Sequence, residues 1–454
     1  MTGATLAITE PVWTELSSWL DERDEVAGIL SANWIEDEDG ATVLARRLSR
    51  APEDAYLERQ PDGLSLRSSG WVPAVRSAAI EGEMAIFVHT HPGGTAEFSD
   101  RDDRVDDDLW PAFTELTGAP LYGALVLAGS HEEPQLAGRL RRPDGSTQLL
   151  TKVRVVGDGL AIYNLGDEGP TNAIHDRQLR ALGHDGQQVL HGLRVGLVGA
   201  GGTGSPIAEQ LIRLGVGSIV AIDDDEVTPS TVSRGYGSMA DDVGRPKVDV
   251  LADHAERIGL GTAVEPVHGN LRDLAVAQRL RHCDVVFSCV DGHAARLVLN
   301  RWAYWHLAPV IDVAVLITSI GGSIGSIDGR VTWLAPGASC LLCRGRVDPT
   351  LAYAEQLDPN ERRRLAQQGY APELEEPQPS VVTYTTLMAS IAATELLNRL
   401  FGLADTAPTE LLLQLHARTT SMNRRRPRGG CFCGSPEAWG KGIAEPYLDL
   451  TWAQ

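Results

Sequence analysis

The chain has 454 residues, 43% of them apolar and 22% charged, and a formal charge of −21. That length holds about two or three domains with cores of their own, and the composition excludes disordered and fibrous classes. The charge argues against a nucleic-acid or anionic-membrane partner, because phosphate is repelled over most of such a surface. The basic run Arg424-Arg-Arg-Pro-Arg428 is short and reads as a solvated segment or a contact for an acidic partner. No apolar stretch reaches about 18 residues and the first residues do not resemble a signal peptide, so a cytoplasmic protein is expected.

In chain order, Pro11 to Asp21 sets Trp13, Leu16, Trp19 and Leu20 at helical spacing, and the apolar runs from Met84 and Leu121 are strand candidates. Residues 1–152 read as one α/β domain. Residues 153–170, polar and glycine-bearing from about Gly157, read as a linker. From Leu193 strand-like runs alternate with helices: Arg194 to Gly199, a helix from Ser205 to Leu214, then Ser218 to Asp223. That order opens a doubly wound parallel sheet, and a second domain is placed over 171–436. Residues 345–380 read as a polar excursion ahead of an apolar helix from Val381 to Leu400, and 437–454 as a C-terminal tail. Cys283 and Cys289 are expected to pack around a buried strand. The close pairs Cys340/Cys343 and Cys431/Cys433 read as metal ligands before disulfides in a reducing compartment, with buried free thiols as the alternative.

Two stretches carry chemistry. His89-Thr-His91-Pro places two imidazoles on one side of a strand end, and Asp102, from the next helix, completes a three-ligand set that leaves a fourth zinc position open. Zinc so held acidifies water and polarises a carbonyl. Glu25, in Glu25-Val-Ala-Gly28, is the candidate general acid/base, and Ser99 the candidate donor to an oxyanion. Singly, each is an ordinary polar residue. Together they resemble the JAMM (MPN+) metalloprotease family, whose Glu-x-x-Gly … His-[Ser/Thr]-His-Pro-x6-Ser-x2-Asp pattern is met by Glu25, Gly28, His89, Thr90, His91, Pro92, Ser99 and Asp102 across about residues 5–150. The resemblance implies a cytidine-deaminase-like α/β fold and a catalytic Zn2+ on His89, His91 and Asp102. It also implies cleavage of isopeptide bonds to ubiquitin-like modifiers, or of peptide bonds just after their terminal glycines.

The second stretch is the glycine turn Gly199-Ala-Gly201-Gly202-Thr-Gly204 between a strand and a helix, a weak signal alone. Asp223 ends the next strand, where a ribose contact belongs. Arg234 and Lys247 bracket the same mouth and can neutralise a triphosphate, Asp291 lies where a magnesium ligand belongs, and Arg177 precedes the domain. With Asp176-Arg177-Gln178, Asp223-Asp-Asp225-Glu-Val, Ser230, Gly244-Arg-Pro-Lys247 and Val290-Asp291, these pieces resemble the ThiF/MoeB superfamily of ubiquitin-activating-type adenylyltransferases over about residues 170–435. The resemblance implies a Rossmann-like doubly wound fold and transfer of AMP from ATP to the C-terminal carboxylate of a β-grasp, ubiquitin-like protein. Asp223 would hold the ribose, Arg177, Arg234 and Lys247 the phosphates, and Asp291 Mg2+. A homodimer is implied too, with Arg177 reaching a neighbouring subunit's site. The chain departs from the pattern where Thr231 replaces the usual Asn and Gly235 the usual Gln. Cys340, Cys343, Cys431 and Cys433 match the family's structural Zn2+ site except that the second pair is spaced by one residue. No cysteine falls in 344–430, where thioester-forming members carry theirs. The adenylate is therefore expected to pass directly to a partner, or to a hydroxyl between Ser380 and Thr386.

Both resemblances name the same substrate class. The expectation is a bifunctional enzyme of a bacterial ubiquitin-like modification system, with a conjugating enzyme as a possible further partner. Sulfur-carrier processing and activation is the alternative.

Overall fold

The computed structural model describes residues 3–166, 173–320, 323–369, 379–404 and 408–442. The chain forms two compact units, the first built from 1–157, 161–167 and a late segment beginning at Pro436, the second from most of the remainder. Among the described residues no helix is long and apolar enough to cross a membrane.

The first unit runs β1 (Ala4–Thr9), α1 (Glu10–Ser18), β2 (Ala27–Asp37), β3 (Gly40–Arg50), β4 (Tyr56–Gln60), β5 (Gly63–Leu66), α2 (Val72–Ile80), β6 (Met84–His91), α3 (Asp100–Thr117), β7 (Tyr122–Gly129), β8 (Pro134–Arg141), β9 (Thr147–Val156) and β10 (Leu160–Asn164). The helix expected to reach Asp21 stops at Ser18 and tightens into a 3-10 turn, Trp19–Asp21, which still buries Trp19 and Leu20. The sheet order is β1-β3-β2-β6-β7-β8-β9-β10, and β1 pairs in parallel with β9 as well, so seven strands form a closed ring of hydrogen-bonded neighbours. A large core on one face takes Trp13, Leu16 and Trp19, and a smaller one on the other takes Val75 of α2 and Phe113 of α3. Because β2 is covered on both faces, its first seven residues are all buried.

Two expected boundaries fall elsewhere. Residues 153–164, read as linker from their glycines, hold the end of β9 and all of β10, since Val153, Val155, Leu160 and Ile162 are buried apolar positions. Of the supposed tail, 437–442 belong to the first unit, as does Pro436, the expected last residue of the second domain. Asn33 Nδ2 donates to the Gly440 carbonyl (2.9 Å), Arg46 Nη1 donates to that of Trp439 (3.1 Å), and Trp439 is 8% exposed. Residues 167–170 of the expected linker and 443–454 of the expected tail lie outside the described residues.

The second unit runs α4 (Asp176–Gly192), β11 (Arg194–Val198), α5 (Gly204–Leu214), β12 (Ser218–Asp223), α6 (Pro229–Val232), α7 (Lys247–Ile258), β13 (Ala263–His268), α8 (Leu274–Gln278), β14 (Val285–Ser288), α9 (His293–Trp305), β15 (Val310–Ile320), β16 (Ser323–Leu334), α10 (Leu341–Arg344), α11 (Pro349–Gln356), α12 (Pro359–Gln367), α13 (Val382–Phe401), β17 (Glu410–Gln414) and β18 (Thr419–Asn423). Strands β13-β12-β11-β14-β15 pair in parallel and β16 to β18 continue the sheet antiparallel. This is the doubly wound order, whose direction reverses between β11 and β14, where such sheets open a ligand crevice. The polar excursion holds α11 and α12, and its residues 370–378 lie outside the described residues.

Gly28 is set by packing. A Cβ there would stand 2.6 Å from the Ser49 carbonyl oxygen and 2.7 Å from the Trp19 ring. Gly28→Ala is expected to cost about 1–3 kcal/mol of stability, read as faster amide exchange across β2 and β6.

Candidate functional sites

Side chains alternate along a strand. On β6, Met84, Ile86 and Val88 enter the larger core, while Ala85 and Phe87 enter the core beneath α2 and α3. His89 and His91 continue that second face beyond the apolar layer, with the His89 ring 5.6 Å from that of Phe87. On β2, Ala27 pairs with His89. One step back, the Thr90 N–H donates to the Val26 carbonyl (3.0 Å) and the Thr90 hydroxyl accepts from the Val26 N–H (2.9 Å). This register sets Glu25 opposite His91 on the same face.

Asp102 arrives from α3. The Ser99 hydroxyl caps that helix, accepting from the Asp102 N–H (3.2 Å), while the Asp102 carboxylate accepts from the Ser99 N–H and hydroxyl, both at 2.7 Å. This capping box fixes the carboxylate relative to the helix. The Ser99 hydroxyl, the candidate donor to an oxyanion, is directed at Asp102 here and so positions a ligand candidate.

The His89 and His91 Nε2 atoms are 3.1 Å apart, and they lie 3.0 and 3.4 Å from the Asp102 oxygens. Tetrahedral arms of about 2.05 Å give edges of about 3.3 Å, so the three donors have the spacing of three zinc ligands. The contact of His91 Nδ1 with the Thr95 carbonyl (3.1 Å) keeps the proton of a neutral His91 on Nδ1 and leaves its Nε2 lone pair facing the cluster, whereas a protonated His91 also donates from Nε2 to Asp102. Burial raises Asp102, but hydrogen bonds from His89 and His91 hold it well below the usual carboxylate range, and His91 is raised by the same contact. The cluster and Glu25 line a cavity of about 670 Å3 with Phe87, Trp71, Leu66 and Arg101. Glu25 is 6% exposed, and burial pushes its carboxyl up to about 7.

Several residues that hold this site gave no sequence signal. The Arg59 Nε donates to the Glu25 carbonyl (2.9 Å) and its guanidinium pairs with Glu22 and Glu53, while the Tyr56 hydroxyl accepts from the Ala27 N–H (3.0 Å). Helix α3 is fastened to β8 by Arg139 with Asp103 (2.7 Å) and Asp106 (2.8 Å).

In the second unit Gly199, Gly202 and Gly204 of the turn each have their own constraint. Gly199 has φ +92°, and a Cβ there would lie 2.7 Å from the Cys289 carbonyl oxygen; one on Gly204 would lie 1.8 Å from the Gly199 carbonyl oxygen. Gly202 is covered by Arg234, whose Cδ would be 2.8 Å from a Cβ, whereas a Cβ on Gly201 would enter open space. The Ala200 N–H donates to Asp223 (2.6 Å), tying the turn to the end of β12. Lys247 Nζ lies 3.3 Å from Asp223 and 2.5 Å from Asp225. Burial raises the Asp223 carboxyl against the pull of Lys247. Thus Asp223, Asp225, Arg234 and Lys247 gather at the turn. Asp291 is exposed and follows Val290, which packs at Gly199. Arg177, in the first turn of α4, is exposed and makes none of these contacts.

Both departures from the family pattern have local uses. Thr231 supplies the capping-box partner of Thr228 at α6, and a Cβ on Gly235 would stand 3.0 Å from the Thr231 carbonyl oxygen. The four cysteines meet: the Cys340–Cys431 and Cys343–Cys433 sulfur pairs are each 3.7 Å apart, and all four lie within 4.8 Å of one another. Arms of about 2.3 Å give tetrahedral edges of about 3.8 Å, so the one-residue spacing of Cys431 and Cys433 still fits zinc. Cys283 is buried, and burial raises the Cys289 thiol.

Residues 175–432 match the ThiF family, more than half of the chain. The chain belongs to the ThiF family. Residues 1–174 lie outside that match. It is 32% identical over 162 residues to the SAMP-activating enzyme E1 of Haloferax volcanii, covering 36% of this chain and 57% of that protein. It is 30% identical over 171 residues to the molybdopterin-synthase adenylyltransferase of Escherichia coli, covering 37% of this chain and 65% of that one. The chain thus spans less than two thirds of the length of these curated relatives. Among solved structures, E. coli MccB with ATP aligns over 58% of this chain and 75% of that chain at 16% identity and TM-score 0.46.

A carboxyl raised from 4.5 to about 7 binds its proton more tightly in the folded state. It favours folding at low pH, and that contribution is lost as pH rises through about 7. In thermal melts of the chelated protein, Glu25→Gln is expected to melt above the parent near pH 8, with the gap closing near pH 5.

Proposed function

We propose that this chain is a bifunctional enzyme acting at the C-terminus of a ubiquitin-like, β-grasp protein. Residues 171–436 adenylate the terminal glycine, and residues 1–152 form a JAMM-type zinc peptidase that processes or removes the same kind of protein. One observation carries the reading: a single chain folds a ThiF-family phosphate turn with Asp223, Arg234 and Lys247 beside it, and also a zinc-spaced donor trio with a buried carboxyl at its side.

In adenylation, a glycine carboxylate oxygen attacks the α-phosphorus of ATP; the bond to the bridging oxygen breaks and pyrophosphate leaves. Asp223 binds the ribose hydroxyls, the turn amides face the phosphates, and Arg234 holds phosphate oxygens with Lys247 once it has left Asp223 and Asp225. Arg177 serves a second copy in a homodimer, which agrees with its exposure here. Mg2+ held by Asp291 supplies charge neutralisation on the phosphates. The four cysteines hold a structural Zn2+.

In the peptidase half, zinc on His89, His91 and Asp102 supplies Lewis acidity and acidified water. Glu25, with its carboxyl near 7, takes a proton from the attacking water and returns it to the leaving amine. Its neighbours Thr90, Tyr56 and Arg59 keep it opposite His91.

A second reading, sulfur-carrier processing and activation, draws on the absence of a cysteine from 344–430 and on a molybdopterin-synthase relative. Of the alternative hydroxyl acceptors, Ser380 and Thr383 are exposed, whereas Thr385 is buried and donates to the Val382 carbonyl (3.1 Å). A cytoplasmic setting and a conjugating-enzyme partner suit the modification reading.

Pyrophosphate exchange with β-grasp proteins ending in glycine tests activation. Exchange is expected with at least one, reduced about 100-fold by Lys247→Ala; no exchange with any of them defeats the proposal. For the peptidase, Glu25→Gln should keep its zinc and lose at least about 100-fold in cleavage of a C-terminally extended modifier. Cleavage at the parent rate would remove Glu25 from the mechanism.

A further inference from the structure

The polar excursion reaches back to the residues around Asp291. Helix α9 starts one residue after Gly292, which has no side chain to cap it. Its first amides are satisfied from α11 instead: Glu355 accepts from the His293 N–H at 2.9 Å and the Ala294 N–H at 2.7 Å. The fit is close, since a Cβ on Gly292 would stand 3.0 Å from a Glu355 carboxylate oxygen. The Asp348 N–H, at the start of α11, meets His293 Nδ1 at 3.1 Å, and Arg272 contacts the Glu355 carbonyl at 3.5 Å. A carboxylate at a helix N-terminus also faces the positive end of the helix dipole.

From the other side, Arg296 Nη1 donates to the Asp291 carbonyl (3.4 Å) while its Nε is held by Asp312 (3.2 Å). Asp312 is 0% exposed and is also bound by Arg330 (2.5 Å) and by the Ser288 hydroxyl (2.8 Å). The segment 291–294 is therefore suspended between a carboxylate fixed in the sheet and one carried by the excursion.

We propose that Glu355 is a positioning residue for Asp291, so that the placement of α11 sets how well the nucleotide site takes magnesium. The inference rests on the adenylation reading, in which Asp291 serves Mg2+. Asp291 is exposed and lies in the segment between Ser288, the last residue of β14, and α9, and the excursion, by capping α9, fixes the far end of that segment.

The test is nucleotide binding by the full chain, by calorimetry with ATP in EDTA and across a magnesium titration, without turnover. Glu355→Ala is expected to leave magnesium-free ATP affinity unchanged and to lower the melting temperature by only about a few degrees, the effect of one lost helix cap. It should raise the magnesium concentration needed for half-maximal enhancement about tenfold, the usual cost of losing a group that orients a metal ligand. Glu355→Gln, which keeps one acceptor oxygen, should fall between Ala and the parent, and Tyr353→Ala, on the exposed side of the same helix, should match the parent. An unchanged magnesium dependence in Glu355→Ala overturns the proposal, as does an equal loss of affinity with and without magnesium. A parent chain that binds no ATP under either condition overturns the adenylation reading itself.

Discussion

The antiparallel register that sets Ala27 opposite His89 decides which face of the first sheet carries chemistry. With a period of two, a slip of one residue would send His89 and His91 into the apolar core and bring Val88 and Thr90 out in their place. The register is held by the paired hydrogen bonds of Val26 and Thr90 and by the exclusion of any side chain at Gly28. Everything else at the site is positioned against that frame: α3 presents Asp102 through its own cap, and Arg59 and Tyr56 fix the segment that leads into β2 at the Glu25 carbonyl and the Ala27 N–H.

The second unit solves its problem with absent side chains. A parallel sheet opens a crevice where its winding reverses, and the chain crosses that opening by bringing backbone against backbone at Gly199 and Gly204. Asp223 and Lys247 form the wall. Their ion pair satisfies a buried carboxylate, so a ligand that competes for Lys247 must also supply Asp223 with new partners.

How much of this the sequence discloses depends on range. The strands β6, β11 and β12 are legible because apolar residues cluster over a few positions, and the donor trio is legible because its spacing is short. The 153–164 stretch misleads because its glycines are conspicuous while its buried valines, leucine and isoleucine find their partners far along the chain. Ser99 is visible as part of a motif, but its capping role depends on the angle at which α3 begins. Glu355, Arg59 and Asp312 lie beyond such reading: each acts through a partner that only the tertiary fold brings near.

The segment 436–442 gives the first unit an unusual dependence on synthesis order. Most of that unit is complete by residue 166, yet the buried amide of Asn33 and the guanidinium of Arg46 find carbonyl partners only in residues that follow the whole second unit. On the ribosome those two side chains must wait for these partners while more than half of the polypeptide is made. Along the chain most of the second unit falls between two parts of the first, so the two cannot be separated by a single cut without leaving one of them short.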